Sequence, residues 1–321
     1  MRLLAGMGGR LLVAGPILLL AGVLLFAVLD GRAAGAQGWP EGWLPVRFLG
    51  WLARVVSGDW GISAQLGVPV AVLLGSALPA TLELVGLAVL FCGALGLAGG
   101  LLLFALRRDG GRREGRAALA ETAAAALMSV PEMLWALGLL VVFGFALPWA
   151  PPGGRLDPGL DWPGGMGFLV VEALLAGEGA VLASALGHML VPALALGLAF
   201  APPVMRVLGG ALAEAWRAPF AGQARRRGLS AAQVLLGEAL PLAALPALAA
   251  LGRQFGLLLG GAAVVEAVCL YPGLGRMLVE AVRAGDVAVV QAAALAFALV
   301  AVLAEAAVAG LCRGLNPGGR R

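Results

Sequence analysis

Apolar residues run in six long stretches separated by polar or glycine-rich segments. A helix that spans a membrane needs about 20 predominantly apolar residues. Strands of a membrane barrel would alternate apolar and polar positions over roughly ten residues, and no stretch does so. The second and third stretches are longer than one span requires, which predicts tilt or an extra interfacial turn. The pattern predicts an all-α polytopic membrane protein with about six transmembrane helices, at 11–29, 80–106, 117–147, 186–208, 242–264 and 287–312.

Between the first two stretches, the segment 37–78 is too polar to span a membrane. Its apolar positions recur at helical spacing, at Phe48, Leu49, Leu52, Val55 and Val56. Arg47 and Arg54 lie between them, and this pattern is typical of an amphipathic helix at the outer membrane interface. We expect Trp51 and Trp60 to lie at headgroup depth. The turn-rich stretch 148–162 predicts a second outer loop.

Composition agrees with a membrane environment, since 61% of the residues are hydrophobic and 12% are charged. A soluble domain carries about 25% charged residues, so a soluble enzyme is excluded. All 22 basic residues are arginine, and without lysine the chain has no phosphate-binding Walker A loop. The one histidine and three scattered cysteines do not supply a zinc cluster or a disulfide framework. We expect no metal site, no cofactor in this chain and no nucleic-acid partner.

The distribution of arginines predicts the orientation of the spans, because cytoplasmic loops are enriched in basic residues. With the N-terminus inside, fifteen arginines fall in inside segments and six in outside segments, and Arg253 lies within the fifth span. Both termini are therefore predicted to be cytoplasmic. Residues 33–37, AAGAQ, also resemble a signal-peptidase site, but the preceding apolar stretch exceeds the usual 7–15 residues of a signal peptide. An uncleaved first span is favoured.

The longest inside loop, at 209–240, contains two short helical patterns on either side of Gly228. Ser230 is positioned as the N-cap of the second helix. Such a helix–Gly–helix element on the cytoplasmic face is suited to docking a partner. An ordinary solvated basic loop explains the same residues equally well.

This loop and several other blocks of the sequence resemble a known family of proteins. The stretch with Gln223, Ala224, Gly228 and the pair Leu240-Pro241 resembles the cytoplasmic signature of permeases of binding-protein-dependent ABC importers, although Gly222-Gln223 replaces the usual Glu-Ala start. Phe220 followed by QARRRGLS resembles the peptide/nickel branch. Further blocks resemble that branch in the same order, namely WLARVVSGDWGIS, LPATLEL, GGRLDPG, RQFGLLLGGAAVVEAV, YPGLGRMLVEAV and GDVAVVQ. The Pro-Gly-Asp-Pro that usually follows the family's first span is absent.

The resemblance implies a subunit without enzymatic activity in the bacterial inner membrane. It implies four kinds of partner: a second homologous permease, two ABC ATPases that bind ATP and Mg, an extracytoplasmic substrate-binding protein and the lipid bilayer. The division of the chain is then a first transmembrane helix (1–36), an external segment with the interfacial helix (37–78), a five-helix permease core (79–313) and a cytoplasmic tail (314–321). The ATPase-coupling residues implied are Phe220, Gln223, Ala224, Arg225, Arg226, Arg227, Gly228, Leu229 and Ser230.

Polar side chains within spans are candidates for the translocation path, because they are costly in hydrocarbon. The candidates are Glu83, Arg253, Gln254 and Glu266. Arg253 either lines the path and favours an anionic group or pairs internally with Glu83, Glu266 or Glu305. Glu83 is equally suited to stabilising a helix N-terminus. His188, predicted to begin span four, is more typical of a capping or interfacial residue than of a ligand.

Peptides are the substrate class that the resemblance favours, and nickel or a metal chelate is the alternative within the same architecture. A different class, the ion-coupled secondary transporter, is typically built from inverted repeats with broken helices, and the chain shows no internal repeat.

Overall fold

The computed structural model describes residues 22, 23, 26, 44–108 and 114–315 of the chain. The described segments are helical apart from connecting loops and one isolated β-bridge between Ile62 and Pro69. Apart from residues 22, 23 and 26, the predicted span 11–29 lies outside the described residues, as does almost all of the tail 314–321. The helices are α1 (Leu44–Val56), α2 (Val70–Arg108), α3 (Glu114–Ser129), α4 (Glu132–Leu139), α5 (Leu169–Ala176), α6 (Gly179–Arg217), α7 (Pro219–Arg226), α8 (Ala231–Val234), α9 (Leu240–Val268), α10 (Leu274–Ala284) and α11 (Val287–Leu315). Helix α4 continues into π-helical turns at Leu140–Ala146, and α8 joins α9 through π-helical turns at Leu235–Ala239.

Four helical segments of the described chain are long and apolar enough to cross a membrane. They confirm the predicted second, fourth, fifth and sixth spans, and the first three of these extend beyond their predicted bounds. The segments are Val70–Arg108, Gly179–Arg217, Ala231–Val268 and Val287–Val308.

The third predicted span, at 117–147, is wrong as a single helix. It consists of two helices, Ala118–Ser129 and Glu132–Ala146, which are bent by 90° to each other. The bend falls at Pro131, which has no backbone N–H to donate and disfavours a helical conformation at Val130 before it. By length and composition the bent pair is sufficient for one further crossing.

Helices α2 and α6 run parallel and form the centre of the bundle. Glycines allow their backbones to approach: a Cβ on Gly96 would come within 2.7 Å of the Val204 side chain, and one on Gly100 within 2.8 Å of Leu208. Small residues at a helix interface are a common means of packing helices in membranes, where lipid removes most of the hydrophobic driving force. Helices α4, α9 and α11 pack around this pair through a shared apolar cluster.

The predicted amphipathic helix is confirmed as α1. Trp51, however, is only 7% exposed and packs against Phe48 and Phe26, with ring centroids 5.7 Å apart in each pair. The ring belongs to a packed cluster that also contains Val287 at the start of α11, and the depth of Trp51 in the membrane stays a prediction.

Candidate functional site

The predicted helix–Gly–helix element is present between the two long helices α6 and α9. Helix α7 begins at Pro219, directly after α6 ends, and is followed by Gly228 with a φ of +85°. Ser230 then caps α8 through a capping box: its Oγ accepts from the Gln233 backbone N–H, and its own N–H donates to Gln233 Oε1 at 2.9 Å. Residues 220–230, from here on the coupling segment, thus form a short helix, a left-handed turn and a capped helix start.

The coupling segment is attached to the bundle along one side. Ala221 and Ala224 are fully buried in an apolar cluster with Leu212, Trp216 and Val234. This side packs against the ends of α2, α6 and α9.

Trp216 lies at the centre of that attachment. Its ring meets Phe104 of α2 edge to face, with centroids 5.4 Å apart. The guanidinium groups of Arg225 and Arg108 lie 4.8 and 5.1 Å from the ring centroid, within the range of a cation–π interaction. Arg225 also donates to the Trp216 carbonyl at 3.3 Å, so this arginine joins the coupling segment to the end of α6.

The opposite side of the coupling segment is exposed. Its exposed residues are Gln223, Arg225, Arg226, Arg227, Gly228 and Ser230, while Phe220 and Leu229 are half-buried. Together with Arg107, Arg108 and Arg217, these arginines make this end of the bundle strongly basic, and it is called the basic end below. The segment therefore presents a polar, basic surface on an apolar base.

Glu83 holds together elements at the other end of the bundle. Its Oε1 accepts from the backbone N–H groups of Val170 and Val171 in the first turn of α5, and its Oε2 accepts from Arg155 at 2.7 Å. The Glu83 and Arg155 side chains are only 6% and 17% exposed. Glu83 thus stabilises a helix N-terminus, as one sequence interpretation proposed, but the helix belongs to a distant segment of the chain. These bonds engage both carboxylate oxygens of Glu83.

Glu266 has a similar arrangement. Its Oε1 accepts from the Thr81 hydroxyl at 2.7 Å, and its Oε2 accepts from the Gly275 N–H at 2.7 Å at the start of α10. The Thr81 oxygen accepts in turn from the Leu274 N–H at 2.8 Å. Nearby, burial raises the pKa of the Tyr271 phenol, and the neighbouring Arg155 charge partly opposes this shift. Tyr271 therefore stays neutral in the packed loop between α9 and α10.

A third carboxylate, which sequence reasoning missed, completes this pattern. Asp286 accepts from the Ser63 hydroxyl at 2.6 Å and from the Gln65 N–H at 3.2 Å, and its other oxygen accepts from Val289 N–H in α11. The one available signal was its position directly before an apolar helix, which is typical of an N-cap.

Arg253 and Gln254, two polar residues of α9, lie in different surroundings from these carboxylates. Arg253 is exposed, and no acidic group of the described residues lies within ion-pair distance of it. Its proposed pairing with Glu83 or Glu266 is not formed, because both carboxylates are held by other groups. Gln254 is 7% exposed and faces the interior of the bundle from the next position of α9.

His188 does not begin a span, because α6 starts nine residues earlier, at Gly179. Its ring is buried, and Nδ1 lies 2.9 Å from the Ser184 carbonyl oxygen. Within the described ranges, no group of three or more His, Cys, Asp or Glu residues is arranged to hold a metal ion.

Comparison with known proteins identifies the class. Residues 116–320 match the family described as "Binding-protein-dependent transport system inner membrane component". The chain is 33% identical over 257 residues to the di/tripeptide transport system permease protein DppB of Pseudomonas aeruginosa (strain UCBPP-PA14), covering 80% of this chain and 75% of that protein. It is 34% identical over 266 residues to the probable D,D-dipeptide transport system permease protein DdpB of Escherichia coli (strain K12), covering 83% and 77%. A crystal structure of an amino acid ABC transporter with histidines aligns with a TM-score of 0.44 at 19% identity, covering 73% of this chain and 92% of that one.

The chain therefore belongs to the family of inner-membrane permeases of binding-protein-dependent ABC importers, within its peptide branch. It is a multi-pass inner-membrane protein and the permease subunit of such an importer. Membership implies an external substrate-binding protein and ATPase subunits as partners.

Proposed function

We propose that this permease, with a second homologous permease, forms the translocation path for short peptides. The relatives described above are named as di/tripeptide and D,D-dipeptide permeases, and this supports peptides over nickel or a metal chelate. Two ATPase subunits, which bind ATP and Mg, supply the energy, and the chain itself has no catalytic role.

The coupling segment is the proposed contact with an ATPase. Its supporting observation is the combination of a buried apolar base, formed by Ala221 and Ala224, with an exposed basic surface. A segment of this construction binds a partner on one side and moves α2, α6 and α9 on the other. The basic end is then cytoplasmic, as are both termini, in agreement with the enrichment of arginine in cytoplasmic loops.

The decisive experiment reconstitutes the permease with the second permease, both ATPases and the substrate-binding protein in proteoliposomes. Uptake of radiolabelled dialanine should require ATP and every one of these components. Omission of this chain is the control, and it should abolish uptake. A complex that assembles fully, takes up nickel or a metal chelate, and does not take up dialanine or trialanine would overturn the proposal.

A further inference from the structure

Arg253 lies midway along a membrane-spanning helix and has no ion-pair partner among the residues that the structure describes. Helix α9 runs from Leu240 to Val268 within a segment apolar enough to cross the membrane. Charged side chains at such depth are costly, and they face a water-filled path or a group of opposite charge. The direction in which Arg253 projects therefore indicates where the path lies.

Two contacts of α9 fix that direction. Leu251 lies against α2, with its Cδ2 3.4 Å from where a Cβ on Gly93 would stand, and a Cβ on Gly252 would overlap Val308 of α11. Successive residues of an α-helix are turned by about 100°. Leu251 faces α2 and Gly252 faces α11. Arg253, one position further on, therefore projects away from α2, beside the contact between α9 and α11 (the seam).

Glu305 of α11 lies on the same side of this seam. Its Oε1 is 3.5 Å from where a Cβ on Gly256 would stand, so it borders α9. Around α11 it is about half a turn from Ala296, which packs in a cluster with Leu74 and Ala77 of α2. Glu305 is exposed, and it therefore also projects away from α2.

The two charges are close to each other but do not pair. The contacts of Gly252 with Val308 and of Gly256 with Glu305 show that α9 and α11 are antiparallel. This register displaces Glu305 from Arg253 by about one helical turn, ~5 Å along the seam. Among the residues that the structure describes, neither side chain lies within 4.0 Å of an opposite charge.

We propose that Arg253 and Glu305 are the two poles of a subsite for a zwitterionic short peptide, with Arg253 binding its carboxylate and Glu305 its ammonium group. This inference rests on the proposed function and specifies the chemistry of its path. The termini of an extended dipeptide are up to about 7 Å apart, a span of the same order as the ~5 Å offset of the two residues along the seam. Hydrogen bonds between charged groups are about twice as strong as neutral ones, so both ends of the peptide contribute to binding.

The test uses the assembled complex in nanodiscs without the substrate-binding protein, so that the receptor does not select the peptides. Binding of radiolabelled dialanine is measured in competition with dialanine, N-acetyl-dialanine and dialanine amide. The variants are Arg253→Gln and Glu305→Gln. The exposed residues Arg283 and Glu178, which lie outside α9 and α11, supply the matched controls Arg283→Gln and Glu178→Gln.

Each variant should lose the preference for one free terminus of the peptide and keep the preference for the other. Arg253→Gln should weaken binding of dialanine at least tenfold, as for loss of a hydrogen bond to a charged group, and should leave binding of the amide unchanged. Glu305→Gln should likewise weaken binding of dialanine at least tenfold and should leave binding of N-acetyl-dialanine unchanged. Neither control should alter the ratios.

Three results would overturn the inference: no binding of dialanine by the wild-type complex, unchanged preferences in both variants, or single variants whose defects disappear in the double variant. The last result would mean that Arg253 and Glu305 pair with each other. Receptor-dependent uptake of dialanine by the wild-type complex, measured in parallel, tests the proposed function separately, because uptake can occur without this subsite.

Discussion

The Thr81 hydroxyl and the Glu266 carboxylate are joined by a hydrogen bond of 2.7 Å between α2 and α9, although 185 residues separate them in the chain. The same hydroxyl accepts from the backbone of Leu274 at 2.8 Å, so one oxygen links two membrane-spanning helices to the start of α10. All three groups are buried. A single small side chain therefore contributes hydrogen bonds that join three elements at this end of the bundle.

Replacing Thr81 by valine keeps the shape of the side chain but removes the hydroxyl. Glu266 and the Leu274 N–H would each lose a partner in a buried site, which destabilises a protein by about 1–3 kcal/mol for each unsatisfied group. Thermal unfolding of the purified permease should show this loss. The control is Thr122→Val, because the exposed Thr122 hydroxyl donates to the Ala118 carbonyl of its own helix; equal stability of both variants would contradict the role of Thr81.

Replacing Glu83 by glutamine should destabilise the permease, because Arg155 would lose the charge that compensates its own. Breaking a buried ion pair by removing one partner costs about 3–5 kcal/mol, and the retained amide oxygen lowers this value. The matched variant is Glu280→Gln, which breaks the exposed Arg276–Glu280 pair and should cost less than about 1 kcal/mol. The two variants are compared by thermal unfolding, and a larger effect at Glu280 would refute the assignment.

Replacing Gly228 by alanine should reduce coupling rather than assembly. Its φ of +85° disfavours any side chain by about 1 kcal/mol or more, although a Cβ would meet no atom within 4 Å. Gly222 is an ideal control, since it is also surrounded by open space but has a helical backbone. Peptide-stimulated ATP hydrolysis by the complete complex should fall for Gly228→Ala and stay unchanged for Gly222→Ala. Unchanged stimulation in both would eliminate the coupling role of the turn.

Replacing Trp216 by leucine should loosen the coupling segment. The variant loses the edge-to-face contact with Phe104 and the ring over which Arg108 and Arg225 lie. Amide hydrogen exchange within α7 should therefore accelerate by about tenfold, which corresponds to about 1.4 kcal/mol of local stability. Trp149→Leu, at a position 71% exposed, should leave this exchange unaltered; protection of α7 that survives in Trp216→Leu would contradict the attachment.

The predicted orientation is tested by fusing reporters to the chain. Alkaline phosphatase, which folds only outside the cytoplasm, should be inactive after Arg321 and active after Pro163 in the loop between α4 and α5. Green fluorescent protein at the same two positions should show the reverse pattern. Active phosphatase at Arg321 would place the C-terminus outside and invert the assignment of the basic end.

Local patterns in the sequence were sufficient for four of the predicted spans and for the helix–Gly–helix form of the coupling segment. Apolar runs long enough to cross a membrane predicted α2, α6, α9 and α11, because length and hydrophobicity are properties of a contiguous stretch. Gly228 and Ser230 predicted the turn and the cap for the same reason, since both act on backbone groups within a few residues. The bend at Pro131 carried a similar local signal, but the apolar run continues through it and concealed the break.

Only the tertiary structure decided the roles of the polar residues within and between the spans. Glu83 bonds to Arg155, which is 72 residues away, and Asp286 bonds to Ser63, which is 223 residues away. On the sequence alone, Glu83, Glu266 and Arg253 were equivalent candidates for the translocation path. A charged residue in an apolar stretch gives the same sequence pattern whichever partner it has. The fold supplies helix N-termini and a hydroxyl to the carboxylates but leaves Arg253 unpaired among the described residues. The physical reason is that a buried charge is stabilised by the groups that packing brings to it, and these come from distant parts of the chain.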